Sequence, residues 1–133
     1  MIVVDTNVIA YFIIRNDRAP LADLVLQRDP TWAAPRLWRS EMRNVLALHV
    51  WRNILPIEKA IEAMIQAENI IGEHTYDVES GRVLELAEIS GCTAYDCEFV
   101  YVAERLNLPL VTADKKLTAT FPAIAVSMEA FVD

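Results

Sequence analysis

The sequence of 133 residues is poor in glycine and cysteine and has no long apolar segment. With three glycines and no repeats or Ser/Gly-rich stretches, it contains no flexible linker, and its length fits one domain over residues 1–133. The longest apolar run near the start covers residues 8–14, far short of the ~20 residues that cross a bilayer. The first residues lack the basic and apolar segments of a signal peptide, so we expect a cytoplasmic protein.

The cysteines and histidines are too dispersed for a zinc site or a Cys-His catalytic pair. Cys92 and Cys97 lie five positions apart, which is not the Cys-x-x-Cys spacing, and both histidines are far from them in sequence. We therefore expect two free thiols in a reducing compartment.

Basic residues are outnumbered, and the net charge is −7. The imbalance lies in the second half, because residues 1–66 carry eight Lys/Arg against seven Asp/Glu, whereas residues 67–133 carry four against twelve. Proteins that bind nucleic acids usually present a basic face, which the net charge does not indicate. Seven arginines in the first half nevertheless leave room for a locally basic surface.

Short β-branched runs alternate with helical patterns along the chain, which predicts an α/β fold with a parallel sheet covered on both faces. Four or five strands are expected, over residues 2–4, 32–34, 74–76, 110–112 and 124–126. Helices are expected over residues 6–14, 19–28, 35–52, 57–71, 79–90, 93–107 and 115–120.

Two aspartates follow predicted strands. Asp5 comes directly after the strand 2–4, and Asp114 follows the strand 110–112 after one residue. Ligands of open parallel sheets bind beyond the carboxyl ends of the strands, so both acids are expected at one sheet edge. Each acid could instead only cap a helix or form a turn.

Two further acids lie on the apolar faces of predicted helices. Glu41 shares a helical stripe with Leu37 and Val45, and Asp96 begins a stripe that continues at Phe99. A carboxylate on a buried face costs several kcal/mol unless something compensates its charge. The residue two positions after Asp96, Glu98, leaves that stripe and is expected to face solvent.

The compensating charge could come from an arginine or from a metal ion. Arg39 or Arg43 could form an ion pair with either acid, and Asp96 could complement the dipole at its helix N-terminus. Four converging acids would repel one another, however, and a cation is the usual way to hold such a cluster. Oxygen ligands alone favour Mg²⁺ or Mn²⁺, which can activate water and stabilise charge on a phosphate.

Four segments in order resemble the PIN domain family. Residues 2–7, Ile-Val-Val-Asp-Thr-Asn, are similar to its opening strand and first acid, and Ser40-Glu41 resembles its second acid. Residues 93–96, Thr-Ala-Tyr-Asp, resemble the third acid at a helix start, and residues 110–117 resemble the closing strand and fourth acid. Together they span nearly the whole chain.

The resemblance implies a PIN-like three-layer sandwich and a Mg²⁺- or Mn²⁺-dependent endoribonuclease. Single-domain PIN proteins of this length are mostly similar to VapC- or FitB-type toxins. Such toxins cut RNA, usually pair as homodimers and are silenced by an antitoxin protein. The resemblance implies that four acids are the catalytic residues and metal ligands: Asp5, Glu41, Asp96 and Asp114. It also implies positioning roles for Thr6, Asn7 and Thr112.

Other functions stay open from the sequence. A haloacid-dehalogenase-like phosphatase would use Asp5 as nucleophile, but its Asp-x-Asp motif is replaced here by Asp-Thr-Asn. A housekeeping nuclease or a non-catalytic PIN-fold binding protein is a further alternative, although the latter would tend to lack some of the acids. The helix predicted over residues 57–71 is apolar over much of its surface, which favours a homodimer.

Overall fold

The computed structural model describes residues 1–133 and contains one parallel five-stranded sheet. The strand order is β3-β2-β1-β4-β5, so the first strand occupies the centre. The strands are β1 (Ile2–Val4), β2 (Trp32–Pro35), β3 (Thr75–Tyr76), β4 (Leu110–Thr112) and β5 (Ala125–Ser127). The predicted α/β fold is therefore confirmed.

Eight helices connect and flank the strands. They are α1 (Thr6–Ile14), α2 (Ala19–Arg28), α3 (Leu37–Trp51), α4 (Ile57–Ile71), α5 (Ser80–Ser90), α6 (Ala94–Leu106), α7 (Lys115–Thr120) and α8 (Met128–Val132). Helix α6 packs on β1, β2 and β4, α5 packs on α6, and the α1–α4 helices pack among themselves. None of the eight helices is long and apolar enough to cross a membrane.

The core occupies both faces of the central strand. Successive side chains of a strand point to opposite faces, yet Ile2, Val3 and Val4 are all buried. A strand buried on both sides is typical of a parallel sheet between helical layers, which explains why it appears as an unbroken apolar run in the sequence.

The start of α3 and the additional helix α8 are the main differences from the predicted elements, and several other boundaries differ by one residue. Helix α3 begins at Leu37 rather than Pro35, because Pro35 ends strand β2. Proline is tolerated there because the amides of its neighbours, Ala34 and Arg36, make the hydrogen bonds to the β3 side. The short helix α8 was not predicted, and its start is fixed by the Ser127 hydroxyl, which accepts from the Ala130 N–H at 3.1 Å.

Candidate active site

The two strand-end aspartates lie side by side because their strands are neighbours. Strands β1 and β4 pair in parallel, with Val4 opposite Val111. Asp5 follows β1 and caps α1, and Asp114 follows β4 and caps α7. The cap alternative considered for both residues is thus correct, and it also holds both carboxylates at one sheet edge.

Asp5 is nearly enclosed, with an exposed fraction of 8%. Its carboxylate accepts a hydrogen bond from the Val8 N–H at 3.0 Å and another from the Thr112 hydroxyl. The Thr112 oxygen in turn accepts from the Asp114 N–H at 2.9 Å. One buried hydroxyl therefore connects the two aspartate positions and fixes the distance between the strand ends.

Burial raises the pKa of the Asp5 carboxyl to about 6. The hydrogen bonds from Thr112 and Val8 favour the charged form and oppose this rise, whereas the negative charge of Asp114 adds to it. Asp5 is thus an acid whose ionised form lacks a compensating positive charge in the folded chain.

The other two acids come from helices on opposite sides of the sheet edge. Glu41 lies on α3 and accepts a hydrogen bond from the Thr6 hydroxyl at 2.7 Å. Asp96 lies in the first turn of α6, where its N–H donates to the capping Thr93 hydroxyl at 3.1 Å. Thr6 begins α1, so the first helix positions Glu41 and also carries the cap from Asp5.

Glu41 lies at the margin of the buried face of α3 rather than within it. The buried residues of that helix are Trp38, Met42 and Leu46, one position later than the predicted stripe. Glu41 is consequently half-buried and faces the sheet edge. Asp96 is half-buried as well, and the residues that follow it on α6 are buried as the sequence indicated.

The carboxylates influence one another around the site. Burial raises the pKa of Glu41, and the charge of Asp96 raises it further. Burial also raises the pKa of Asp96, with a second contribution from Asp114. Neither Glu41 nor Asp96 forms an ion pair, and Arg39 pairs instead with Glu68 at 3.7 Å. The arginine alternative is therefore wrong for this structure.

All four acids line one pocket of about 200 Å³. Thr6 and Asn7 also line it, and Thr112 contributes from below through its hydrogen bond to Asp5. The lining residues are Asp5, Thr6, Asn7, Glu41, Asn44, Val45, Asp96, Phe99, Asp114 and Leu117. The structure brings the sequence-predicted residues together, and their catalytic roles stay predictions.

The PIN domain family matches residues 2–121, which is most of the chain and includes every acid of the pocket. This chain belongs to the PIN domain family. The resemblance drawn from the four sequence segments is thereby confirmed.

Individual proteins similar to this PIN domain cover it almost completely. Ribonuclease VapC3 from Pyrobaculum aerophilum is 27% identical over 126 residues, covering 92% of this chain and 96% of that protein. A crystal structure of PAE2754 from the same organism matches with a TM-score of 0.77 and 22% identity, covering 98% and 92% of the two chains. A toxin-antitoxin complex from Klebsiella pneumoniae contains a chain that matches with a TM-score of 0.67 and 17% identity, covering 96% and 98%. At these identities the two solved structures establish the fold.

Two polar residues of this PIN domain were missed or misplaced by the sequence analysis. Asn44 lines the pocket, and its position three residues after Glu41 on the same helix was the available signal. Glu98 was expected in solvent but is half-buried, and its pKa is raised by burial and then by the charge of Glu41. The negative charge of the site therefore extends beyond the four predicted acids.

The donor atoms of the pocket fit a hard divalent cation. Only carboxylate, amide and hydroxyl oxygens are present, and no histidine or cysteine lines the pocket. No three acids, histidines or cysteines lie close enough together to enclose a metal ion by themselves. Mg²⁺ usually retains several waters and binds through one or two carboxylates, so it does not need such an enclosure. Burial raises the pKa values of Asp5, Glu41 and Asp96, and neighbouring acids add to each rise, so a bound cation would favour the charged forms of these carboxyl groups.

Proposed function

We propose that this PIN domain is a Mg²⁺- or Mn²⁺-dependent endoribonuclease. The observation that carries the proposal is the convergence of four acids, from four different segments, on one pocket without a neutralising arginine. The acids are Asp5, Glu41, Asp96 and Asp114. Similarity to a protein named Ribonuclease VapC3 over 92% of the chain supports RNA as the substrate.

The side chains around the pocket have distinct parts in this proposal. When bound, the cation supplies positive charge at the cleaved phosphate and favours ionisation of the attacking water. Asp5 is held by Thr112 and Val8, and Glu41 is held by Thr6, so both carboxylates are oriented before substrate arrives. The exposed amide of Asn7 lies at the rim, where it can donate to a phosphate oxygen.

Cleavage of defined RNAs with Mg²⁺, with Mn²⁺ and with excess EDTA tests the assignment. Asp5→Asn, Glu41→Gln and Asp96→Asn should each lower the rate at least ~100-fold, because each removes a carboxylate charge that would hold the cation. Glu88→Gln, which alters an exposed acid on α5, is the matched control and should cut at the parental rate. Cleavage that continues in EDTA, or that Asp96→Asn leaves undiminished, would contradict the proposal.

We further propose that the enzyme is the toxin of a toxin–antitoxin pair. The fold shared with a chain of a toxin-antitoxin complex supports this, as does the named VapC relative. The antitoxin is expected to place an arginine in the acid pocket, because a guanidinium can bridge two carboxylates and replace the charge of the cation. The excess of acids over residues 67–133 would steer a basic partner towards the protein.

Expression in a bacterial host separates the toxin from a housekeeping nuclease. A toxin should arrest growth, and Asp5→Asn should abolish the arrest while leaving the amount of protein unchanged. Normal growth in the presence of active enzyme would leave the nuclease assignment intact and discard the toxin.

A homodimer is the assembly we propose, because the α3–α4 hairpin leaves a large apolar surface uncovered. Trp51 is 71% exposed, and Ile54, Ile57, Ile61 and Ile65 are each at least 54% exposed. An apolar groove of about 330 Å³ runs between the two helices. Exposed apolar surface of this kind marks an interaction site, and a second copy would cover both hairpins at once. Sedimentation at micromolar concentration should give a dimer, and Ile61→Glu should give a monomer with the same stability.

We also propose that the chain forms one domain and that the protein lies in the cytoplasm. A single hydrophobic core includes residues from Ile2 to Met128, which supports one domain over residues 1–133. Cys92 and Cys97 are free thiols, as expected for a protein in a reducing compartment.

A further inference from the structure

A second polar cavity adjoins the acid pocket at the same edge of the sheet. It has a volume of about 300 Å³, lies beyond the ends of β4 and β5, and shares Asp114 with the acid pocket. We call it the flanking cavity, and its functional groups are those of Arg18, Asp114, Lys115, Thr118, Ser127 and Glu129. Two cations thus lie next to the site where a phosphodiester would be cut, in a cavity that also contains the carboxylates of Asp114 and Glu129.

In the folded chain Arg18 makes one exposed ion pair, and its guanidinium lies 5.5 Å from the centre of the Tyr11 ring. Its Nη2 atom donates to Glu129 at 2.8 Å, in an ion pair whose side chains are 39% and 59% exposed. Exposed ion pairs of this kind contribute little to stability, so a competing anion could displace Glu129. The Arg18 Nε–H is buried and has no hydrogen-bond partner. The guanidinium therefore has N–H donors without an acceptor. A movement of the side chain towards an anion would give the buried Nε–H a hydrogen-bond partner.

The other cavity residues complete an oxyanion site. Lys115 forms no ion pair in the folded chain, although its charge acts on the nearby Glu129. The Ser127 oxygen accepts from the Ala130 N–H at 3.1 Å, which leaves the hydroxyl proton free to be donated. A guanidinium, an ammonium and a hydroxyl suit the several oxygens of a phosphate better than a single carboxylate.

Three of the six other arginines in residues 1–66 are already held in ion pairs. Arg15 pairs with Asp23, Arg36 with Asp77 and Arg39 with Glu68, which neutralises much of the basic surface that the sequence had left room for. A protein with a net charge of −7 must bind RNA through localised cations, and Arg18 and Lys115 line a cavity that adjoins the acid pocket.

We propose that the flanking cavity binds a backbone phosphate of the RNA strand next to the one that is cut, through Arg18, Lys115 and Ser127. This inference rests on the proposed ribonuclease function and adds a positioning site to it. Glu129 forms an ion pair with Arg18 when RNA is absent, and the phosphate displaces Glu129 when it binds.

The proposal can be tested by measuring how a fluorescein-labelled single-stranded RNA binds to the inactive Asp5→Asn protein. Binding is measured by fluorescence anisotropy in the presence of Mg²⁺ at several salt concentrations. Arg18→Gln and Lys115→Gln should each weaken binding regardless of RNA sequence and lower the slope of log K against log salt by about 0.7. Glu129→Gln should tighten binding, because it releases Arg18 from its ion pair and removes a negative charge close to Lys115. Arg105→Gln, which alters an exposed arginine of α6, is the matched control and should behave as the parent.

The opposite effects of Arg18→Gln and Glu129→Gln distinguish a phosphate contact from a structural ion pair. If the pair only stabilises the fold, both substitutions break it and both should weaken binding, which would overturn the proposal. Unchanged salt slopes for Arg18→Gln and Lys115→Gln, in a protein whose active form cuts RNA, would overturn the flanking cavity and leave the ribonuclease standing. Failure of the active protein to bind or cut any RNA would remove both.

Discussion

Replacing Asp5 by asparagine isolates the energetic cost of the acid pocket in the metal-free protein. Burial raises the pKa of the Asp5 carboxyl from 3.8 to about 6. At about 1.36 kcal/mol per pH unit, ionisation of Asp5 then destabilises the fold by about 3 kcal/mol at neutral pH. Asparagine removes the charge and keeps an acceptor for the Val8 N–H, but it gives up the bond from Thr112, a loss of about 1 kcal/mol. We expect Asp5→Asn to be about 2 kcal/mol more stable than the parent.

The pH dependence of this difference identifies its cause. The folded pKa of Asp5 lies above the unfolded one, so between pH 3.8 and about 6 the folded protein binds more protons than the unfolded chain. The parent therefore loses stability as the pH rises through this window, and the full penalty is present above about pH 6. Asp5→Asn does not titrate, so it should be more stable than the parent at about pH 8 and slightly less stable near pH 4.

Urea titrations of both proteins in EDTA, at each pH, measure the difference in the free energy of unfolding. The gain expected at the higher pH corresponds to roughly 5–10 °C in Tm for a chain of this size. Glu88→Gln is again the matched control, because the exposed Glu88 carboxylate should contribute no such difference. The reasoning would be refuted if Asp5→Asn gained no stability at the higher pH, or if its difference from the parent did not change with pH.

Three further predictions concern the same site. Saturating Mg²⁺, at 100 times its Kd, should stabilise the parent by about 2.7 kcal/mol in a thermal-shift assay and should stabilise Asp5→Asn by much less. A parental melting curve unaffected by Mg²⁺ would argue against a metal site. Asp114→Asn should keep the α7 cap, whose bonds come from the N–H groups of Lys116 and Leu117, whereas Asp114→Ala should lose about 1 kcal/mol in urea titrations. Both Asp114 variants should lose cleavage, and an active Asp114→Asn would limit Asp114 to capping. Thr112→Val should lower the free energy of unfolding by about 1–3 kcal/mol in the same titrations, because the Asp114 N–H and the Asp5 carboxylate both lose a buried partner. An unchanged free energy of unfolding would contradict the connecting role of the hydroxyl.

The strand-end half of the site could be predicted from sequence because it depends on chain direction alone. Ile2–Val4 and Leu110–Thr112 are short apolar strands, and in a parallel sheet the acids that follow them must reach the same edge. No side-chain packing has to be known for that step. The position of Thr112 within hydrogen-bonding distance of Asp5 follows from the same geometry, since their strands are direct neighbours.

The helical half was less accessible, because a helix rich in apolar residues allows several overlapping stripes. On α3 the stripe through Leu37 and Val45 competes with the one through Trp38 and Met42, and in the structure the second stripe is the buried one. Glu41 was identified although the stripe was displaced by one residue. Asn44, by contrast, was missed, because its position three residues after Glu41 indicates a shared helix face but not a shared pocket.

The capping role of Asp5 explains why the residue is polar but does not explain why it is charged. Asparagine is about as good a helix cap as aspartate, and it would not carry the penalty for a buried ionised group. Aspartate at this position, with its pKa raised to about 6 beside Asp114, therefore lowers the stability of the metal-free protein without improving the cap. A divalent cation would reverse that balance, because it binds the charged form and stabilises the folded state. The fold alone thus gives no reason for the charge of Asp5, whereas a bound cation would supply one.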